Sequence, residues 1–352
     1  MKETIYLGTY TKGNSEGIYE IALNTETKRL EEAKLVAKVG NPTYLTLSNG
    51  KDIIYSVSKT DQGGGIAAFK KKPATTYENT TTFFEKTSEL IEENAAPPCY
   101  VAYDADRSLV YTTSYHDGFV SVYKANNKGS LTLTDVKQHE GSSVHENQEK
   151  AHAHYLDLTP DKKYVVACDL GTDNVFTYQV SEEGKLNLVQ TYKANPGTGP
   201  RHLVFHPNGK FAYLVGELTS EIVVLAYNAT DGSFETVQTV SSIPESHTTF
   251  NSGSAVRVTE DGRFLYSSNR GHNSIAVYSI NETGDTIERI QLISSEGDTP
   301  RDFALDPTEQ FVVVGHQNSD KLTLFERDAE TGLLSLLQKD IYAPECVCVA
   351  FE

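Results

Sequence analysis

Short apolar runs separated by polar turns recur along the whole chain, and their length and turn punctuation predict strands rather than helices. In residues 199–218, GPRHLVFHPNGKFAYLVGEL, the apolar Leu203, Val204 and Phe205 lead into His206-Pro207-Asn208-Gly209, a strong turn signal. Phe211 to Val215 then run back. Antiparallel pairing about Gly209 sets Arg201 opposite Glu217 at one end of the hairpin. The run FAYLVGELTSEIVVLAY (211–227) has relatives throughout: IIYSVSKTDQGGGIAAF, LVYTTSYHDGFVSVY, YVVACDLGTDNVFTYQV, FLYSSNRGHNSIAVYSI and FVVVGHQNSDKLTLF, with TIYLGTYTKGNSEGIYEIAL at the N-terminus. These make seven strand–turn–strand units, most of them followed by a turn and a fourth short run such as NKGSLTL, EEGKLNLVQ, TDGSFETVQ or ETGLLSLLQ.

Six units are also preceded by a short run: PTYLTLS, PCYVAYD, HYLDLTP, RHLVFHP, SAVRVTE and RDFALDP. The first unit lacks one, and the missing copy stands at the far end as ECVCVAF, residues 345–351. A ring of four-stranded sheets explains this, because the last strand completes the blade begun at the N-terminus and leaves no open end. Units roughly 50 residues apart suit four-strand blades. The prediction is an all-β, seven-bladed β-propeller with four antiparallel strands per blade, one domain over residues 1–352, closed by the C-terminal strand.

In such a ring the first strand of each blade lies nearest the axis, so its first residue shares a rim with the last residue of the second strand. The Arg201/Glu217 offset, applied to every unit, places Thr43 with Lys59, Cys99 with Tyr115, and His154 with Leu170. It continues with Ser254 and Arg270, Arg301 and Gln317, and Glu345 with Tyr10 across the closure. Lys59, Arg201, Arg270 and Arg301 against Glu217 and Glu345 give a formal +2 in a chain whose net charge is −17. A locally positive cleft in an acidic protein suits a small anionic ligand. The loop HEGSSVHENQEKAHAH (139–154) overhangs the same rim. His152 and His154 alternate, so at most one faces the centre, and His154 holds the repeat position of Arg201. His116, His206 and His247 fall in turns and are expected to be solvated. Asn269, His316 and Asn318 lie near strand ends.

With 31 basic and 48 acidic side chains, neither nucleic acid nor an anionic membrane surface is expected as partner. No apolar leader precedes the first strand-like run and no apolar stretch reaches membrane-spanning length, which predicts a cytoplasmic protein. Cys99, Cys168, Cys346 and Cys348 lack zinc-type spacing and read as free thiols. No metal or cofactor is expected.

HAH at 152–154, GPRH at 199–202, GEL at 216–218, SNRGHNSI at 268–275 and PRDFALDP at 300–307 resemble the lactonase family of seven-bladed propellers. That family includes propeller-type 6-phosphogluconolactonases and the carboxy-muconate lactonizing enzyme. The resemblance spans the chain, with departures at Asn147, Ala151 and Gly216, where the family pattern carries Arg, Pro and Asn. It implies hydrolysis of a sugar-acid lactone, with His154, Arg201, Glu217 and Arg270 as the catalytic set. Arg301 is implied at the substrate, with Lys59, Gln148, His152, Asn269, His316 and Gln317 as further polar candidates. An imidazole poised near neutral pH suits His154 to the role of base. Glu217 beside Arg201 should stay ionised, Arg201 or Arg270 could stabilise an oxyanion, and Arg301 or Lys59 could hold a phosphate. Rival readings are a carboxy-muconate cycloisomerase, a calcium-dependent gluconolactonase, which would want more carboxylates, and a non-catalytic scaffold. The absence of tryptophan removes the Trp-Asp signature of WD40 scaffolds.

Overall fold

Seven antiparallel sheets form the structure, a computed structural model that describes residues 1–72 and 83–352. We number the blades I to VII from the N-terminus. Blade V shows the plan: Pro200–Phe205 innermost, then Phe211–Gly216, Glu221–Asn228 and Ser233–Ser241 outermost, each paired with the next. Blades II, III, IV, VI and VII repeat it. Blade I closes the ring: Cys346–Phe351 pairs with Lys2–Thr9, which pairs with Gly17–Asn24. Its outer edge is broken into Arg29–Leu30 and Lys34–Lys38, both on Gly17–Asn24.

The burial pattern follows from a blade's two neighbours. Second strands are covered on both faces, so Leu109–Ser114 and Phe311–His316 are buried at every position and read as unbroken small or apolar runs. Outermost strands face water along most of their length, as in Leu186–Lys193. Between blades V and VI, Tyr213, Val215 and Val224 pack against Val256, Leu265 and Ala276. Each such buried side chain contributes about 1.5–3 kcal/mol relative to exposure. Tyrosines stitch successive blades: Tyr213 Oη donates to Gly284 O (2.9 Å) and Tyr266 Oη to Gly332 O (2.8 Å).

The innermost hairpins depart from the register expected of them. Pro200 faces Gly216 and Leu203 faces Leu214, so two residues, Arg201 and His202, stand opposite Val215 alone. This is a β-bulge. It recurs where Ala153 faces Asp169 but Tyr155 faces Cys168, where Pro300 faces His316 but Asp302 faces Gly315, and where Gly8 faces Cys348 but Thr9 faces Cys346. The extra residues are His154, Arg301 and Val347. Arg201 is therefore not the cross-strand partner of Glu217, whose N–H instead bonds Gly199 O at 2.8 Å.

Candidate active site

The bulges re-aim the first residues of the inner strands toward the axis, and a cleft of about 290 Å³ opens there. His154, Arg201, His202, Arg301 and Val347, all bulge residues, line it together with Glu217, Arg270, Tyr10 and Tyr115. Its volume sits at the small end of ligand pockets, about 300–1,000 Å³.

Glu217 is the hub of the charges. Its Oε2 lies 2.9 Å from Arg201 Nε and its Oε1 lies 2.9 Å from Arg270 Nη2. The Arg201 contact is an ion pair set off the N–H axis, and it leaves the Nε proton without an aligned acceptor. Arg270 is also anchored to Ser252 Oγ (2.7 Å) and Gly253 O (2.9 Å). Burial pushes the Glu217 pKa up, but Arg270 and Arg201 outweigh it and hold the carboxyl at about 2. Burial, reinforced by Arg270, pushes Arg201 down to about 9, so it remains a cation at neutral pH. Arg301 is less committed: Nη1 donates to Gln317 Oε1 at 3.2 Å, and the guanidinium lies 6.0 Å from the centre of the Tyr10 ring.

His154 is 3% exposed, and its Nδ1 is buried without a hydrogen-bond partner. Burial first, then Arg201, lowers its pKa well below the ordinary histidine range, so the ring is neutral at pH 7. His202, 5.1 Å away between ring centres, is held neutral by the same two causes.

The remaining expected residues have other places. His152 turns away from the cleft: it stacks on Tyr115 at 4.4 Å, Nδ1 donates to Tyr115 O (2.7 Å), and its own N–H is held by Asp169 Oδ1. Gln148 is wholly buried behind the loop, donating to Leu170 O and Asp173 Oδ1. Asn269 is a buried strut between Ser242 and Ser274. His316 lies under Gly297 and bonds Lys321 O. None of these four lines the cleft. Lys59 points to solvent, its backbone bridging Gly40. The Glu345 carboxylate accepts from the N–H groups of Lys12, Gly13 and Ser15 instead of facing the channel. With Lys59 and Glu345 gone from the rim, Arg201, Arg270 and Arg301 against Glu217 still leave a formal +2. His206, expected in solvent, is 7% exposed and bonds Gly262 O at 3.1 Å.

Sequence reasoning missed His202, Tyr44, Asn41 and Asp302 in the lining. Strict alternation puts His202 on the face opposite Arg201, and only the bulge, which has no local sequence signature, turns both inward. Asp302 carries no surplus charge into the cleft, since Oδ1 accepts from Arg257 (2.8 Å) and Oδ2 from Val349 N (2.9 Å). Among the described residues no cluster of three or more His, Cys, Asp or Glu is placed to hold a metal ion.

A closed seven-bladed ring with two arginines clamped on a largely buried glutamate, beside a neutral histidine and a third arginine, defines a propeller whose axial cleft is locally positive. The family profile described as Lactonase, 7-bladed beta-propeller matches residues 4–351, and the chain belongs to that family. A 6-phosphogluconolactonase of Bacillus subtilis (strain 168) is 44% identical over 347 residues, covering 98% of this chain and 97% of that protein. A crystal structure of a protein from Lactobacillus plantarum superposes with a TM-score of 0.94 at 46% identity, covering all of both chains. The Pseudomonas aeruginosa periplasmic gluconolactonase PpgL superposes with a TM-score of 0.92 at 29% identity, covering 100% of this chain and 99% of that one.

Proposed function

We propose that the protein hydrolyses a sugar-acid lactone, with 6-phospho-D-glucono-1,5-lactone as substrate and 6-phospho-D-gluconate as product. The observation that carries this reading is the Arg201–Glu217–Arg270 cluster facing neutral His154 across a cleft that also holds Arg301. The family and the Bacillus subtilis relative support the lactone, and the surplus positive charge supports a phosphorylated one.

In this reading Arg301 holds the phosphate, because its fork is the least committed of the three. The lactone carbonyl oxygen points at Arg201 and Arg270, whose donors are fixed in advance by Glu217. Water attacks the carbonyl carbon as His154 takes its proton. The tetrahedral oxyanion collapses, the bond from the carbonyl carbon to the ring oxygen breaks, and the imidazolium returns the proton to that oxygen. Glu217, ionised at any working pH, orients the arginines and donates no proton.

The test is lactone disappearance corrected for spontaneous hydrolysis, with phosphorylated and unphosphorylated glucono-1,5-lactone side by side. We expect turnover of both, with a lower KM for the phosphorylated substrate that is lost in Arg301→Gln. No enzymatic rate on either lactone overturns the reading, and equal KM values overturn the phosphate assignment.

A further inference from the structure

The loops that deliver His154 and Arg201 to the cleft share one buried carboxylate outside it. Asp173 is 0% exposed and stands at the turn between the second and third strands of blade IV. Oδ1 accepts from Gln148 Nε2 at 2.7 Å and from Gly199 N at 2.8 Å. Oδ2 accepts from Gly197 N at 2.7 Å and from Ser143 Oγ. Ser143 and Gln148 belong to the loop running into His154, while Gly197 and Gly199 belong to the loop running into Arg201. The link continues inward, because Gly199 O accepts the Glu217 N–H at 2.8 Å. One carboxylate is thus a single residue removed from Glu217 and two residues from Arg201, and it grips the other loop six residues before His154.

The repeat shows how the position is used elsewhere. Asp173, Ser220, Asn273 and Asp320 all have left-handed backbone (φ 56°, 57°, 53° and 52°) at the same turn of blades IV to VII. Each reaches the loop that enters the next blade: Ser220 Oγ accepts from Asn251 Nδ2 (2.8 Å), Asn273 Oδ1 from Thr299 N (3.0 Å), and Asp320 Oδ1 from Glu345 N (2.8 Å). Asp173 alone among these four binds two loops at once, and those loops carry the histidine and the first arginine of the cleft.

We infer that Asp173 is a positioning residue that fixes the separation of His154 from the Arg201–Glu217 pair. All four of its partners are donors, so a carboxylate satisfies them and an amide cannot. This rests on the lactonase reading for its kinetic half only. Asp173→Asn suits the left-handed backbone, which asparagine tolerates, but presents an N–H to two of the donors. Misplacing catalytic groups by about 1 Å costs on the order of 100-fold. We therefore expect kcat to fall by that order while KM, set by Arg301 on blade VII, changes less than about two-fold. Amide hydrogen exchange should quicken together in 143–154 and 197–201. Asp306→Asn is the control: that carboxylate is equally buried and accepts from Thr308 N and Phe311 N at a turn away from the cleft. It should lower the unfolding midpoint and leave kcat unchanged. Ser143→Ala removes a single donor and serves if Asp173→Asn does not fold, with the same two signs at smaller size. An unchanged kcat, a loss confined to KM, or unchanged exchange in 197–201 overturns the inference. A wild-type protein without lactonase activity sinks the proposed function instead, and the exchange result then still decides whether Asp173 couples the loops.

Discussion

Glu217 and the two arginines around it form a largely buried ion triad, and such a triad stabilises little by itself because three groups lose most of their hydration. Its persistence at the mouth of a cleft is better explained by what it holds in place. Arg201→Lys keeps the charge and loses the planar fork that can span Glu217 and a lactone oxygen. We expect it, and Glu217→Gln, each to lower kcat by about 100-fold, with the double variant little worse than either because the groups act as a unit. A surface pair would instead leave turnover intact and move stability by under about 1 kcal/mol. Stability should also respond to acid through Glu217. Its folded pKa lies below the unfolded one, so its contribution is complete above about pH 4.3 and is lost as pH falls toward the folded value. Wild type and Glu217→Gln should therefore converge in unfolding midpoint between pH 4 and pH 2. His154 gives the kinetic counterpart: a base kept neutral by burial and Arg201 stays competent below the ordinary histidine range. The acid limb of kcat/KM should fall below about pH 6.5 and move up in Arg201→Gln. A limb at or above that value in wild type would remove His154 as the base.

At the scale of strands and turns, the repeat was legible because hydrophobic alternation and turn chemistry are local. The ring, the blade count and the closing strand all follow from counting copies. The cleft was legible only in outline. The offset of 16 residues is kept one residue earlier, as Pro200 with Gly216 or Pro300 with His316, and the bulge then swings the following residue inward. Lys59 and Gln148 show the other failure, since a rim position in one dimension says nothing of whether the side chain turns to solvent, to a neighbouring loop or to the axis. The glycines around the bulge make this testable. Gly199 (φ +65°) and Gly209 (φ +69°) sit at opposite ends of the same strand, and both have left-handed backbone. A Cβ on Gly199 would lie 2.6 Å from Leu218 Cγ, whereas one on Gly209 meets nothing nearer than 3.8 Å. Gly209→Ala should cost about 1 kcal/mol of stability with kcat unchanged. Gly199→Ala should cost more, about 1–3 kcal/mol, and lower kcat as Leu218 and the adjacent Glu217 shift. Equal effects on kcat would show that the loop before Arg201 tolerates displacement.

For the whole ring, the closure in blade I carries both stability and the site. Cys346–Phe351 is the innermost strand of that blade, and its Val347 lines the cleft. Cys346 and Val349 pack with Val313 and Ala304 of blade VII, while Cys348 packs toward Leu45 of blade II. Asp302 holds the Val349 N–H, and Glu345 holds the loop after Lys2–Thr9. Truncation after Pro344 removes all of this and exposes the edge of Lys2–Thr9. At about 1.5–3 kcal/mol for each buried apolar side chain, the loss approaches the whole stability of a domain, about 5–15 kcal/mol. We expect the truncated chain to lose its cooperative unfolding transition and its activity together, and a peptide of residues 345–352 added in excess to restore part of both. Because the strand pairs with Lys2–Thr9 and packs on blades II and VII, its removal should loosen the strands it touches, with faster amide exchange in Lys2–Thr9 and Pro300–Leu305 than in Tyr164–Asp169 across the ring. An unchanged unfolding midpoint in the truncated protein would mean that the N-terminal blade stands without its borrowed strand, and that the ring is held by blade-to-blade packing alone.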